Sequence, residues 1–211
     1  MAAKKALETV TDLDLKRYVG RWFEISSIPS SFQPKDTVNT MAHYTLKEDG
    51  TVGVLNETFT RQGKRNSIEG KAWKIDPASA AAEFKVQFWV PPFLPLVPVR
   101  GDYYVMALDQ AEYKYALIGQ PSRKFLWVLS RTPTLAEETY AELLKVAEAQ
   151  GYDVSLLHRT EHTPDSGVSS TEPGMFEGGR LERTAVAAAV VAGIAAIVAS
   201  TSILRKKTSS D

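Results

Sequence analysis

Between Arg21 and Ser130 the chain is a succession of short runs in which apolar and polar residues alternate, or in which β-branched and aromatic residues cluster. Period two is the signature of a strand, because successive side chains leave opposite faces. The runs fall at about 21–28, 38–46, 50–60, 66–74, 82–90, 101–108, 113–119 and 124–130. Residues suited to chain reversal separate them: Glu48-Asp49-Gly50, Gln62-Gly63, Asp76-Pro77, Pro91-Pro92 and Gln120-Pro121-Ser122. Eight short strands at near-regular spacing predict an antiparallel barrel or sandwich. The period then changes. Thr134 precedes Glu137 and Glu138, the apolar residues Leu135, Leu143, Leu144 and Val146 follow, and Gly151 closes the run. An N-cap, an acidic first turn and a terminal glycine predict a helix over about 135–150. Tyr152–Leu157 is expected to return as a strand.

A different pattern occupies the end of the chain. Thr184–Leu204 is 21 residues without a charge, Asn, Gln, His or Pro, and Arg205, Lys206 and Lys207 follow it. At ~1.5 Å per residue such a helix spans about 31 Å, the thickness of a bilayer core. The alternative, a buried alanine-rich helix, meets the objection that no face is amphipathic. Ala188, Ala192, Ala196 and Ser200 recur at four-residue spacing, which would suit close approach of two such helices and a homodimer through the span. Before it, half of the twenty residues Pro164–Arg183 are Gly, Ser, Thr or Pro, the composition of a flexible tether. Met1–Val10 has no apolar core of the kind a secretory signal needs. A single span without such a signal reads as a tail anchor, with the folded part in the cytosol. The basic residues beyond the span would then lie on the far side, against the positive-inside tendency, which leaves the receiving membrane open. The expected organisation is a folded domain over 1–163, a linker over 164–183, a transmembrane segment over 184–204 and a short polar tail over 205–211.

Composition narrows the chemistry. The 211 residues include 25 Lys+Arg, 25 Asp+Glu and no Cys. The missing cysteines exclude disulfide scaffolds, thiolate nucleophiles and iron–sulfur sites, and they agree with a reducing compartment. A formally neutral chain is poorly suited to nucleic acid, whose affinity comes from Lys and Arg displacing counterions. Residues 164–211 hold five groups of each sign, so the folded part is itself neutral and should reach a membrane through greasy contacts rather than charge. Catalytic signals are few. Of three histidines, His158 and His162 share a helical spacing but lack the glutamate of a zinc-protease motif, and no metal site is expected. There is no GxSxG elbow, no GxxxxGK[ST] loop and no GxGxxG. No cofactor and no enzymatic activity are expected. Asn56-Glu57-Thr58 matches a glycosylation sequon that would be irrelevant in the cytosol.

Three short motifs carry a family signature. Gly20-Arg21-Trp22-Phe23-Glu24-Ile25 opens the first run, Leu108-Asp109 with Tyr113-Lys114-Tyr115-Ala116 spans a later turn, and Leu129-Ser130-Arg131-Thr132-Pro133 closes the eighth. In order and spacing these resemble the lipocalin family over about residues 8–160. Phe32-Gln33-Pro34, Val54-Leu55-Asn56-Glu57-Thr58, Val90-Pro91-Pro92-Phe93-Leu94-Pro95, Gly101-Asp102-Tyr103-Tyr104 and Ala116–Arg123 bring it nearer to the plant temperature-induced and bacterial outer-membrane groups of that family. The resemblance implies an all-β fold, an eight-stranded antiparallel up-and-down lipocalin barrel with one helix on its C-terminal side. To this the sequence adds the C-terminal transmembrane helix, a departure from those groups. Gly20, Trp22, Asp109, Tyr113 and Arg131 are the structural signature. Trp22 would plug the closed end, with the Arg131 guanidinium on its indole face, a contact of ~0.5–2 kcal/mol.

These anchors also set the pleat. Counting back from Arg131 places Leu129, Trp127 and Phe125 inside, and counting forward from Trp22 places Glu24 and Ser26 inside. The family register then gives Ala42 and Tyr44, Val54 and Asn56, Ile68 and Ala72, Val86 and Phe88, Tyr103 and Val105, and Ala116 and Ile118. Such a lining is apolar with a few polar groups, the chemistry of a site for a small hydrophobic ligand such as a long-chain lipid. The alternative is that these side chains simply fill a small barrel. Glu24, if inside, is a candidate anchor for a ligand head group, its pKa raised by desolvation.

Val90–Val99 is uncharged and holds four prolines. It is expected to be a loop between the fifth and sixth strands, because proline cannot donate to a sheet. Pro91, Pro92, Phe93, Leu94, Pro95, Leu96, Val97 and Pro98 would make a membrane-contact lip, a lid packed on the barrel, or a polyproline ligand lacking a basic residue to orient it. The expected function is a membrane-associated carrier of fatty acids, lysophospholipids or similar lipids. By resemblance to the plant group, it would sit at the plasma membrane and protect membranes under temperature or oxidative stress. The alternatives are a lipocalin-fold enzyme acting on a lipid or carotenoid, disfavoured by the lack of cysteines and of paired inward carboxylates, and a barrel that scaffolds protein partners.

Overall fold

The structure is a computed structural model and describes residues 5–28, 37–90 and 97–163. Eight strands close into an antiparallel barrel: β1 (Gly20–Ser27), β2 (Thr37–Leu46), β3 (Val52–Thr60), β4 (Arg65–Lys74), β5 (Glu83–Val90), β6 (Val97–Leu108), β7 (Tyr115–Gly119) and β8 (Leu126–Ser130). Each pairs with the next in sequence, and β1 pairs with both β2 and β8, so the sheet closes on itself. Two short helices flank it, α1 (Leu15–Tyr18) and α2 (Glu137–Ala149). A two-residue strand β9 (His158–Arg159) joins the outer half of β1.

Closure creates two apolar layers. One fills the barrel and includes Trp22, Val54, Ile68, Phe88, Val105, Ala116 and Ile118. The other lies outside, where Tyr140, Leu143 and Ala147 of α2 pack with Ile25, Met106, Leu117, Leu126 and Val128. Strands under α2 are therefore buried on both faces, which is why 115–119 and 126–130 read as nearly continuous apolar runs rather than alternating ones. Residues 10–18 cross the barrel at the end where β1 begins. Val10 exchanges backbone hydrogen bonds with Ala82 and Val105, and α1 delivers Tyr18 to the interior.

Several expected boundaries move. The helix starts at Glu137 with Ala136, not Thr134, at its N-cap. The Thr134 carbonyl instead accepts from Thr132 Oγ1 at 2.7 Å. Tyr152–Leu157 is not a strand: Val154–Leu156 form a 3₁₀ turn capped by Asp153, and pairing begins only at His158. Val97 and Pro98 belong to β6, opposite Val90 and Trp89, so the loop is shorter than expected. Proline is tolerated there because β6 is paired on one side only at this level, β7 joining it from Tyr104 onward. Pro91–Leu96 lie outside the described residues, as do the linker 164–183, the span 184–204 and the tail 205–211. Among the described residues no helix is long and apolar enough to cross a membrane.

The barrel has one seam. β1 and β2 pair only where Gly20–Phe23 meet Met41–Tyr44. Beyond that level a bulge between Glu24 and Ser26 turns β1, another between Val38 and Met41 turns β2, and the strands part. Residues 158–163 fill the wedge. Arg159 and His158 pair with Ser26 and Ser27, and Thr160 N–H donates to the Ile25 carbonyl. On the other side Asn39 N–H donates to the Glu161 carbonyl, and the Asn39 side chain both accepts from Thr163 N–H at 2.9 Å and donates to Thr163 Oγ1 at 3.0 Å. Asn39 sits at φ 56°, a left-handed conformation that asparagine tolerates better than most residues.

Candidate functional site

The closed end is built around one guanidinium. Arg131 lies 3.8 Å from the Trp22 ring centroid and donates to the carbonyls of Arg21 (2.8 Å), Arg17 (2.8 Å), Tyr18 (3.0 Å) and Tyr113 (3.2 Å). Trp22 is fully buried, and its indole N–H donates to the Tyr18 carbonyl at 2.8 Å. Gly20 has φ +101°, and a Cβ there would stand 3.3 Å from an Arg131 nitrogen. A side chain at this position would strain the backbone and crowd the guanidinium. Asp109 organises the neighbouring turn by accepting from the N–H groups of Ala111, Glu112 and Lys114. Tyr113, at φ 58°, presents its hydroxyl to Asp14 N–H and its ring to the Arg17 guanidinium at 4.1 Å. The five signature residues thus meet at the floor.

Above the floor stands a tyrosine cluster. The Tyr103 hydroxyl is 2.6 Å from that of Tyr18 and 3.2 Å from that of Tyr44. The Tyr18 and Tyr44 rings stack at 5.8 Å, and Tyr103 meets Tyr44 edge-on. Burial pushes all three phenols up, Tyr44 to about 12, so they stay neutral hydrogen-bonding groups at physiological pH. Tyr18 was not among the expected lining residues, because a four-residue helix leaves almost no periodic signal.

The remaining wall follows the pleat. Val54, Asn56, Ile68, Ala72 and Val86 occupy inner positions on continuous ladders, with Ala42 opposite Trp22 and Asn56, and Val105, Ala116 and Ile118 stay inside across a bulge between Val105 and Ala107. Gly70 lets the Phe88 ring lie flat on β4, since a Cβ would come within 2.6 Å of it. Trp127 pairs with Ser27 and Ile118, and Phe125 stacks on it at 6.0 Å. Ser26 is the exception: the β1 bulge turns it outward, where its hydroxyl accepts from Tyr140 at 3.0 Å, and Ser27 takes the inner place. Glu24 is inside and 7% exposed. Its carboxylate accepts from Thr160 Oγ1 at 2.6 Å and Ser27 Oγ at 3.1 Å, and burial outweighs those bonds to raise its pKa. The same pleat places Thr58 and Asn66 inside, two steps beyond Asn56 and Ile68, although sequence reasoning stopped short of them.

The histidines serve other ends. His43 faces outward 2.9 Å from Glu57, which also binds Arg65. His162 contacts the Glu24 carbonyl at 2.8 Å and the edge of Phe23. Among the described residues no three His, Cys, Asp or Glu side chains are grouped to hold a metal.

Comparison with known proteins agrees with this architecture. Residues 13–162 match the lipocalin-like domain family. The chain is 54% identical to temperature-induced lipocalin-1 of Arabidopsis thaliana over 173 residues, covering 82% of this chain and 92% of that protein. It is 38% identical to the outer membrane lipoprotein Blc of Escherichia coli over 152 residues, covering 72% and 80%, and 32% identical to mouse apolipoprotein D over 157 residues, covering 71% and 77%. Among solved structures, insecticyanin from the tobacco hornworm Manduca sexta superposes with a TM-score of 0.63 at 20% identity, over 78% of this chain and 89% of that one. With its signature residues joined at the barrel floor and its match spanning every strand, the chain belongs to the lipocalin family.

Proposed function

We propose that the barrel binds a small hydrophobic ligand, tail towards the tyrosine cluster and polar group towards the mouth, and holds or carries it next to a membrane. The observation that carries this reading is the inner wall. Aliphatic and aromatic side chains line it from Val54 to Trp127, and the polar groups on it are few and uncharged apart from Glu24. That composition suits an alkyl chain ending in a polar head. Family membership supports it, and the names outer membrane lipoprotein and apolipoprotein among the relatives agree with a lipid setting. Binding rather than turnover is the role we assign, with Glu24 as a polar anchor.

Membrane association has two supports. Trp89 (45% exposed) and Val97 (53% exposed) leave apolar surface at the adjoining ends of β5 and β6, on either side in sequence of the uncharged Pro91–Leu96. Thr184–Leu204 has the length and composition of a span. A cytosolic barrel anchored near its C-terminus, paired through that helix and acting in membrane protection under temperature stress, completes the proposal. The name temperature-induced lipocalin favours the last part. Native mass spectrometry of the full-length protein, released from a mild detergent, tests the core of the reading. An intact co-purified lipid is the expected result. A barrel that retains none and takes up none on incubation refutes carriage, and chemical conversion of an added lipid refutes binding without turnover. Deleting residues 184–204 should release the protein from washed membranes, and retention would shift the attachment to the lip.

A further inference from the structure

Among the described residues, one buried side-chain amide in the barrel has a nitrogen with no hydrogen-bond partner. Asn66 stands opposite Thr58 on an unbroken β3–β4 ladder, two residues before the inward Ile68. Ser67, between them, pairs with the outward Glu57. Asn66 is 7% exposed, yet its Nδ2 has no hydrogen-bond partner. Thr58 does not serve: its hydroxyl pairs with that of Thr40 at 3.0 Å and donates to the Val38 carbonyl at 3.4 Å, and it makes no bond to Asn66. On the neighbouring strand Asn56 also faces inward, diagonal to Asn66, with no side-chain hydrogen bond among the described residues. Side chains at such diagonal positions are within reach of one ligand group. A buried amide without a partner is costly where a leucine would cost nothing, which marks the site as one awaiting an acceptor.

The surroundings limit what that acceptor is. From the level of Tyr44 to the mouth, the inner positions among the described residues carry no Lys, Arg or His. Arg131 lies against Trp22 at the floor with its N–H groups turned to carbonyls, and Lys74, at the closed end of β4, donates to the Ser79 carbonyl. The ionisable carboxyl facing this space is Glu24. Among the described residues a buried anion would meet no counter-charge and one acidic group.

We propose that Asn66, with Asn56 beside it, seats an uncharged hydrogen-bonding group of the ligand, an ester or amide carbonyl or a hydroxyl. The barrel then selects neutral lipids over lipids whose sole polar group is an ionised carboxylate. This rests on the reading of the barrel as a hydrophobic-ligand site. The test uses the full-length protein held in amphipol at pH 8.5, titrated with monolaurin, laurate and dodecane by tryptophan fluorescence. Monolaurin is expected to bind at least tenfold more tightly than laurate. Asn66→Leu should weaken monolaurin about five- to tenfold, leave dodecane unchanged, and melt no lower than wild type because it removes an unsatisfied donor. Asn66→Val serves as a second variant should leucine overfill the site. Equal or tighter binding of laurate overturns the proposal, as does unchanged monolaurin affinity in both variants. In either case retained dodecane binding leaves the function standing. If none of the three binds to wild type, the function falls as well.

Discussion

Replacing Arg131 by leucine removes the four carbonyl contacts of its guanidinium and its contact with the Trp22 indole. A hydrogen bond of this kind contributes about 0.5–1.5 kcal/mol, and a cation over an indole about 1 kcal/mol. The Arg17 carbonyl lies at the surface, where water replaces the lost donor, and the Tyr18 carbonyl keeps the Trp22 N–H. The lower half of the range therefore applies, and the loss is about 3–5 kcal/mol. In a domain of this size that lowers the melting temperature by roughly 10 °C. Guanidinium unfolding followed by tryptophan fluorescence measures the loss. Arg131→Lys should recover less than half of it, because one ammonium cannot reach carbonyls on three segments at once. Lipid bound per folded molecule should not change, since Arg131 belongs to the floor. A loss below 1 kcal/mol would refute the account of the closed end as built around the Arg131 guanidinium. Loss of lipid binding in a still-folded variant would place Arg131 in the ligand site instead.

Two further outcomes follow from the upper barrel. Glu24 has a raised pKa because of burial, so its ionisation opposes folding. Below about pH 4.3 the carboxyl is protonated in both states and costs nothing. As pH rises from there to the raised value, the unfolded chain ionises first and stability falls, and above it the loss is complete. Glu24→Gln keeps an acceptor for Ser27 and Thr160 without the charge, so its advantage over wild type should grow from pH 4 upward and then level off, as urea titrations at stepped pH would record. An advantage that shrinks with pH contradicts the assignment. At the seam, Asn39→Ala loses both side-chain bonds to Thr163 and forces alanine to φ 56°. The expected cost is about 2–4 kcal/mol, with faster amide exchange at Thr160 and Thr163 than at Val105. Uniform exchange across the barrel would mean that the 158–163 segment is not a separate fastening.

Strand positions and the inner face were legible because a barrel imposes period two wherever one face is buried and the other wet. That periodicity, together with the register the family resemblance implies, carried the lining from Ala42 to Trp127, and it would have reached Asn66 had the parity of Ile68 been extended one step back. What escaped are the places where the chain departs from its own period. The β1 bulge moves Ser26 from the inner face to the helix side without any glycine or proline to announce it, and the β2 bulge depends on Asn39 adopting a conformation that many sequences with asparagine never use. Both lie at one seam and both are stabilised by residues 158–163, more than a hundred positions later. A local pattern cannot register an irregularity whose cause is so distant in sequence. Tyr152–Leu157 failed for a related reason: its apolar residues serve the layer outside the barrel, Tyr152 by donating to the Gln120 carbonyl, and not a new ladder. The seam is thus the part of the wall whose closure depends on the C-terminal segment, and that segment continues directly into the stretch leading to Thr184–Leu204. Glu24 touches both sides of this arrangement, accepting from Thr160 of the segment and from Ser27 of β1, so the buried carboxyl on the inner face of β1 is also one that fastens the wedge.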